Sequence, residues 1–471
     1  MQMTMRIAGN AAALCLAGIL LLTRGPGVQA ADLNPPVSDS PAVLDLETAI
    51  RTALSDNPGI AAARDRIRQA RARLAQARSV FWPRISATAS GSRIFLADRT
   101  LEKQQAQARF VNPMATIDDP EDYYRLGLSA TWLVFNGFER KWTHRTAQLG
   151  VVLSDTARQE IQRQLIAAVA RTYYGVQLAR ENLTIARADA DFNRRLLDEA
   201  AIRLRVGTGA LSDKLNFQIR VNMARASEIK AKESFDAVRY SLAALLGFAD
   251  ARWPDHLTIA PLPPEKDTEL RLPDIETLIT YSLSHRPDMI LHHLARKQAA
   301  LAVKTARAGY YPSVNLSAAV NGERPEDASF DHADFGKTLS IGLSYNLFAG
   351  GLTRARVDAA NARFAETMRE EADTRLTAAA RVRAAHVQLT AARRQLMLQR
   401  DNTRLVQDRR DLVEKEYAAG QAPLVRLNEA QRDLIAARSR LALALVSLRQ
   451  AWIDLKTETG RSLEDFPLES P

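Results

Sequence analysis

Ala77-Arg-Ser-Val-Phe-Trp-Pro83 has an echo in Ala306-Arg-Ala-Gly-Tyr-Tyr-Pro312, 229 residues further along the chain. Leu54-Ser-Asp-Asn-Pro58 returns as Leu283-Ser-His-Arg-Pro287 at the same offset. Two matches at one offset mark a duplicated structural unit. The order continues: Gly127-Leu-Ser129 is answered by Gly342-Leu-Ser344, Phe135-Asn-Gly137 by Phe348-Ala-Gly350, and Val176-Gln-Leu178 by Val387-Gln-Leu389. Each half reads as helix, strand, loop, strand, long helix, turn, helix. The first repeat covers 31–247 and the second 274–460, with a Pro-rich connector over 248–273 and a tail over 461–471.

The strands show a period of two. Over 84–95, Ile85, Ala87, Ala89 and Gly91 alternate with Ser86, Thr88, Ser90 and Ser92; over 125–135, Leu126, Leu128, Ala130, Trp132 and Val134 alternate with Arg125, Gly127, Ser129 and Thr131. In the second repeat Val314, Leu316, Ala318 and Val320 over 313–322, and Leu339, Ile341, Leu343, Tyr345 and Leu347 over 338–348, stand against Ser, Gly and Asn. One face is apolar, the other polar. About 11 residues is the length a tilted strand needs to cross a bilayer. Phe81, Trp82, Tyr123, Tyr124, Tyr310, Tyr311 and Phe348 cluster at the strand ends like an interfacial girdle. Four strands cannot close a barrel, and open edges are not tolerated in lipid, so several chains must contribute to one barrel. The intervening segments 96–122 and 323–337 read as acidic surface loops, the first holding Asp118, Asp119, Glu121 and Asp122, the second Glu326, Asp327, Asp331 and Asp334 around His332.

The remainder is helical. Leu153, Ala157, Ile161, Leu165, Ala168, Thr172, Val176, Ala179, Leu183 and Ala186 recur at spacings of three and four, and no proline falls between Pro120 and Pro254. Helices over 138–206 and 351–419 would each be roughly 100 Å long at ~1.5 Å per residue. Helices 58–80 and 213–247, stacked end to end, nearly match the first in length, as 287–309 and 423–459 nearly match the second. Gly207 and Gly420 sit where each long helix must stop. Ser212 is expected to cap the next helix, and Pro423 suits a first helical turn.

Residues 1–30 read as a cleavable secretory signal, with Arg6, an apolar run from Ala11 to Leu22 and Val28-Gln29-Ala30 before Ala31. Cys15, the sole cysteine, lies inside that run without the context of a lipid-anchored cysteine, so the mature chain is expected to carry no disulfide, thiolate metal site or cysteine nucleophile. Without Arg6 and Arg24, the 64 basic and 54 acidic residues leave an excess of eight positive charges. These are spread in mixed-sign patterns such as Arg64-Asp65-Arg66 and Arg369-Glu370-Glu371, which reads as solvated helix faces and not as a nucleic-acid surface. No enzyme signal emerges, and no metal or cofactor site is expected. His292 and His293 are neighbours pointing to different sides of a helix, and Gly207-Thr-Gly209 lacks the strand-glycine-helix setting of a phosphate loop.

On these features the chain resembles the TolC-like outer-membrane factor family over nearly all of residues 42–460. The carriers are the Pro-led strands at Pro83 and Pro312, the exits Phe135-Asn-Gly137 and Phe348-Ala-Gly350, and the turns Arg205-Val-Gly-Thr-Gly-Ala-Leu-Ser-Asp213 and Tyr417-Ala-Ala-Gly-Gln-Ala-Pro423. The resemblance implies a mixed α and β membrane protein: a homotrimer whose protomers each give four strands to a 12-stranded outer-membrane β-barrel, continued by a long periplasmic α-helical barrel. It also implies an exit duct of a tripartite type I secretion or efflux system, docked to a periplasmic adaptor (membrane fusion) protein and an inner-membrane transporter of ABC or RND type. The missing lipid-anchor cysteine leans toward secretion.

The resemblance places adaptor-docking tips at Val206, Gly207, Thr208 and Gly209 and at Ala419, Gly420 and Gln421. It places a periplasmic aperture at Asp213, Tyr417, Arg426 and Glu429, with a Tyr417–Asp213 link available. Arg426 and Glu429 stand where the archetype has two carboxylates, and Ala422 replaces its basic latch residue. A periplasmic adaptor or coiled-coil scaffold is the rival reading, since it too would have a signal and long helical hairpins. It would not need four bilayer-length strands.

Overall fold

The computed structural model describes residues 43–117, 119–325 and 327–467. The expected signal with Cys15, the first repeat up to residue 42, Asp118, Glu326 and residues 468–471 lie outside the described residues. The chain divides at Leu44, and every element below belongs to the unit from Leu44 onward.

The duplication is visible element by element. The first repeat runs α1 (Leu46–Asp56), α2 (Pro58–Ser79), β1 (Arg84–Ile94), α3 (Asp98–Val111), β2 (Glu121–Asn136), α4 (Glu139–Arg205) and α5 (Leu211–Leu246). The second runs α6 (Ile275–His285), α7 (Pro287–Arg307), β3 (Ser313–Pro325), β4 (Phe335–Ser344), α8 (Leu352–Ala418) and α9 (Leu424–Thr459). Helices α4 and α8 have 67 residues each, and α5 and α9 have 36 each. Along α4 the helices α2 and α5 lie on one side and α7 and α9 on the other, with α8 beyond α7 and α9. Each protomer is therefore four helices wide, and α2/α5 and α8 form its two lateral edges.

The α1–α2 and α6–α7 junctions hold the repeats to their own long hairpins. Asn57 caps α2 by accepting from the Gly59 amide at 2.8 Å, and its side-chain amide donates to the Leu245 carbonyl at 2.9 Å. At the matching place Arg286, 1% exposed, donates to the Glu458 carbonyl at 2.9 Å and pairs with Asp288 at 2.6 Å and the Glu458 carboxylate at 2.8 Å. Breaking such a buried cluster on one side leaves an uncompensated charge, so it fixes the geometry of the joint. The connector 248–273 is not uniformly irregular: it holds short 3₁₀ turns at Ala249–Ala251 and Asp267–Leu270. Its carbonyls are taken up by Gln177, which donates to Ala260 and Pro261, and by Arg449, which donates to Pro263 and Pro264.

The four strands form one antiparallel sheet in the order β1-β2-β3-β4. Its register carries the alternation across every strand. Ile85, Ala130, Ala318 and Leu339 form one apolar row, and Trp132, Leu316 and Ile341 another. Arg84, Thr131, Ser317 and Ser340 form a polar row, in which the Ser317 and Ser340 hydroxyls lie 2.7 Å apart; Ser86 and Ser129 are joined likewise at 2.9 Å. Tyr123, Tyr124 and Phe335 lie at one end of the sheet, and Trp82, Tyr310 and Tyr311 next to the other. At the loop end β2, β3 and β4 overrun their expected bounds, while β1 stops at Ile94, one residue short. There Asp122 and Glu323, which alternation alone reads as loop, continue the pairing through Arg93–Asp122 at 2.7 Å and Arg125–Glu323 at 3.0 Å. At its far end β4 stops at Ser344, before the expected 348.

The two loops also differ from expectation. Segment 96–122 is not a plain loop, because α3 forms within it; Asp98 in its first turn and Arg109 in its last complement the helix dipole, and none of its residues is buried. In the second loop His332 sits in a 3₁₀ turn capped by Asp331, while Arg324 joins Asp327 and Asp334, both at 3.0 Å.

Both edges of this sheet are bare. Every residue of β1 is exposed, as is all of β4 after Phe335. Both helical edges carry exposed apolar side chains as well: Leu211, Leu215, Ile219 and Met223 on α5, and Leu376, Val387, Leu398, Leu405 and Leu412 on α8. The latter are spaced by eleven and then seven residues, the periods of helices that wrap on helices. Further copies of the chain fit both edges, since β4 of one copy beside β1 of the next continues the antiparallel alternation.

Leu128 and Leu343, on the apolar face, should not tolerate arginine, at a cost of ~2–4 kcal/mol near a bilayer midplane. Ser129→Arg and Ser344→Arg, on the opposite face, should insert normally. Outer-membrane fractionation with heat-sensitive migration on gels checks this, and equal tolerance of both sets would refute the assignment of faces.

Candidate functional site

At the far end from the sheet each long helix reverses into a shorter one, and the two reversals are built alike. Helix α4 ends through Val206 into Gly207 at φ +77°, and α8 through Ala419 into Gly420 at φ +77°. The Arg203 carbonyl accepts from the amides of Thr208 at 2.9 Å and Gly209 at 3.0 Å; the Glu416 carbonyl accepts from Gln421 at 2.8 Å and Ala422 at 3.3 Å. This is the Schellman arrangement, in which a left-handed residue lets the next amides satisfy orphan helix carbonyls. A Cβ at Gly207 or Gly420 would meet nothing within 4 Å. Only the backbone conformation therefore selects glycine there. The helices after the turns begin differently from expectation. Ala210, not Ser212, occupies the cap of α5 without a side-chain bond, and Pro423 is the residue before α9, not one within its first turn.

A small apolar cluster closes the end. Phe192, Leu196 and Ala200 of α4, Phe217 of α5, Val413 of α8, and Leu427 and Ala430 of α9 are all buried together. Between the reversals Tyr417 lies half-buried under the Arg203 guanidinium, 5.5 Å from its ring centroid. Burial pushes the Tyr417 hydroxyl above the usual tyrosine range, with Arg203 opposing and Asp213 and Glu199 reinforcing the shift. Asp213 is half-buried in the first turn of α5, and among the described residues no hydrogen bond joins it to Tyr417. The expected Tyr417–Asp213 link is thus replaced within one protomer by a cation–π contact. Arg203, at the end of α4, reaches across to the face of the Tyr417 ring at the end of α8.

Arg426, 63% exposed on the first turn of α9, approaches Glu416 at 3.9 Å. Within one protomer it pairs with neither Asp213 nor Glu429, and Glu429 is exposed. The turn residues Val206, Gly207, Thr208, Ala419, Gly420 and Gln421 are exposed, and Gly209 is half-buried against Arg203. Sequence reasoning missed Arg203 and Glu416, although the repeat places them at equivalent positions four residues before each turn glycine. It also missed Asn216 and Asn428, whose side chains meet at 3.4 Å between α5 and α9.

The sequence profile of the family described as outer membrane efflux protein matches residues 49–248 and 278–461. The chain is 26% identical to the pyoverdine export outer membrane protein OpmQ of Pseudomonas aeruginosa, over 88% of this chain and 85% of that protein. It is 27% identical to the protein CyaE of Bordetella pertussis, over 97% of each. Its fold matches the crystal structure of the Campylobacter jejuni CmeC outer membrane channel with a TM-score of 0.75 at 18% identity, covering 88% of this chain and 85% of that one.

Gly207→Val and Gly420→Val each force a β-branched residue to positive φ, at roughly 1–3 kcal/mol of strain. Limited proteolysis of the purified oligomer should then cut faster within the altered turn while the oligomer stays assembled. An unchanged cleavage pattern in both variants would show that the turns do not depend on these glycines.

Proposed function

The chain belongs to the outer membrane efflux protein family, and from that premise we propose how its own residues serve an exit duct. The protein is an outer-membrane channel with a periplasmic helical tunnel, and channels of this kind are homotrimers that work with an adaptor and an inner-membrane transporter. The observation that carries the assignment in this chain is the sheet. Its four strands have one apolar face, aromatic residues towards both ends and two unpaired edges, and they stand on helices about 100 Å long at ~1.5 Å per residue. A periplasmic adaptor or scaffold has no use for such a sheet.

The finer reading is as follows. A periplasmic adaptor (membrane fusion) protein grips the exposed tips Val206–Gly209 and Ala419–Gln421, and an inner-membrane transporter of ABC or RND type feeds the tunnel. Cargo crosses the barrel along the polar face of the sheet. Between the rim pair Arg125–Glu323 and Arg84, that face offers Thr, Ser, Asn and Gly, with Ala319 among them, and no fixed charge. Such a lining gives hydrogen bonds to passing solute without trapping either sign of charge, which suits an export route for small molecules or for an extended polypeptide.

At the tips, three copies of Asp213, Tyr417, Arg426 and Glu429 surround the periplasmic aperture. The first-turn position of Arg426, its exposure and its 3.9 Å approach to Glu416 support this placement, since the side chain is held loosely enough to reach a carboxylate of a neighbouring copy. Charges in a narrow passage act more strongly than in bulk water. The mixed ring binds divalent cations less readily than an all-acidic one.

Planar-bilayer recording tests both levels. The wild-type oligomer should form discrete channels, and its failure to do so would overturn the duct. Arg426→Asp should increase block by divalent cations, and Arg426→Ala should raise basal conductance. If neither changes while channels still form, Arg426 does not belong to the aperture.

A further inference from the structure

Where the sheet gives way to the helices, a basic and aromatic cluster continues its apolar face. A bulge between Leu133 and Phe135 in β2 sets Phe135 against Val314, so Phe135 lies on the apolar face. The Phe138 ring meets it edge-on, the centroids 5.3 Å apart. Phe138, Lys141, Trp142 and Arg145 follow one another at spacings of three, one and three, which puts them on one stripe at the start of α4. The Lys141 ammonium lies 5.9 Å from the Phe138 ring centroid and 5.2 Å from that of Trp142. From α7 the Lys304 ammonium lies 4.7 Å from the same Trp142 ring. Two ammonium groups thus share one half-buried indole.

Like charges so placed repel, and more strongly beside a bilayer than in bulk water. No carboxylate relieves them: both lysines are exposed, and among the described residues neither has an ion pair. Glu139, the one acidic residue in 138–146, accepts instead from the Asn136 amide at 3.2 Å, and 304–312 holds no acid. Arg140 turns the other way, over the Phe81 ring, and donates to the Leu133 and Val134 carbonyls. The cluster is not a by-product of the duplication, since Ala355 and Ala75 stand at the places equivalent to Trp142 and Lys304. Helices α4 and α7 pack on each other inside the width of the protomer, so the cluster is complete in one chain. The long helices run into the periplasm, and this end of the sheet, with the exposed Tyr310 and Tyr311 beside it, lies at the periplasmic leaflet. A lipid phosphate set between the two ammonium groups turns their repulsion into attraction, and its acyl chains can then follow Phe138 and Phe135 onto the apolar face. A zwitterionic headgroup brings a cation of its own to the lysines; an anionic one does not. We propose that Lys141, Lys304 and Trp142 form a headgroup site for an anionic phospholipid of the periplasmic leaflet.

The inference rests on the membrane assignment of the sheet, and reconstitution separates the two. From phosphatidylcholine nanodiscs doped with phosphatidylglycerol, native mass spectrometry of the full oligomer should find phosphatidylglycerol retained in preference to phosphatidylcholine. Retention should fall roughly fivefold for each of Lys141→Gln and Lys304→Gln. It should be unchanged in the pair Lys230→Gln with Lys232→Gln, which removes the same charge from α5. If the Lys141 and Lys304 variants do not assemble, acetylation of the wild type serves instead. Lys141 and Lys304 should then react more slowly in nanodiscs with phosphatidylglycerol than in phosphatidylcholine alone, and Lys230 equally in both. Wild-type retention in Lys141→Gln and Lys304→Gln, or equal acetylation of both lysines in the two lipids, would overturn the site. So would an equal fall in the α5 pair, or displacement of the lipid by inorganic phosphate, which would mark a site for free anions. Failure of the wild type to enter nanodiscs of either composition would refute the membrane face itself.

Discussion

Backbone amides and carbonyls in hydrocarbon must find partners, because no water is present to supply them. That constraint governs this protein. A sheet of four strands with one apolar face leaves the outer rows of β1 and β4 without partners. An even strand count per chain lets β4 of one copy pair antiparallel with β1 of the next, so that a ring of identical chains removes both edges at once. Closure of the ring then sets the positions of the long helices, and the exposed apolar residues of α5 and α8 fall at the two sides where neighbouring copies must meet.

The duplication simplifies the energetics. Each repeat delivers one strand pair and one long hairpin, and the joint between strand pair and hairpin is made the same way twice. Gly137 and Phe138 in the first exit, and Gly350 and Gly351 in the second, all have positive φ and turn the chain from strand into helix. Partway back along the long helices Gly247 and Gly460, also at positive φ, stop α5 and α9 in the same conformation. The Cβ of any other residue at Gly247 would come within 2.6 Å of the Asp56 carbonyl oxygen, so this glycine also permits the close approach of α1 and α5. The two repeats differ where they are joined: Asn57 in one and the Arg286–Asp288–Glu458 cluster in the other occupy equivalent positions.

The architecture was legible in the sequence because it depends on periodicity, which survives in a single chain. The helix bounds fall within two residues of expectation at both ends of α4, α5, α8 and α9, and the strand faces follow the alternation read from Ile85, Leu128, Leu316 and Ile341. What periodicity cannot show is where alternation gives way to ion pairs, so β2 and β3 were read too short. Nor can it show that an acidic polar loop holds α3. The tip was less legible still. Its turn glycines are dictated by backbone conformation and were found, but the partners of Tyr417 and Arg426 depend on which long side chain reaches a neighbouring helix. That is a matter of rotamers and helix phase: within one protomer Arg203 covers Tyr417 and Glu416 approaches Arg426, where the family resemblance implies the carboxylates of Asp213 and Glu429.

Hydrogen exchange of the edge-strand amides in the lipid-embedded oligomer tests the central claim most directly. If identical chains close the sheet, the amides of β1 and β4 should be protected as strongly as those of β2 and β3, and protection of all four should vanish together when the oligomer is dissociated. Rapid exchange along β1 or β4 in the intact, membrane-inserted protein would contradict edge closure by other copies of the chain.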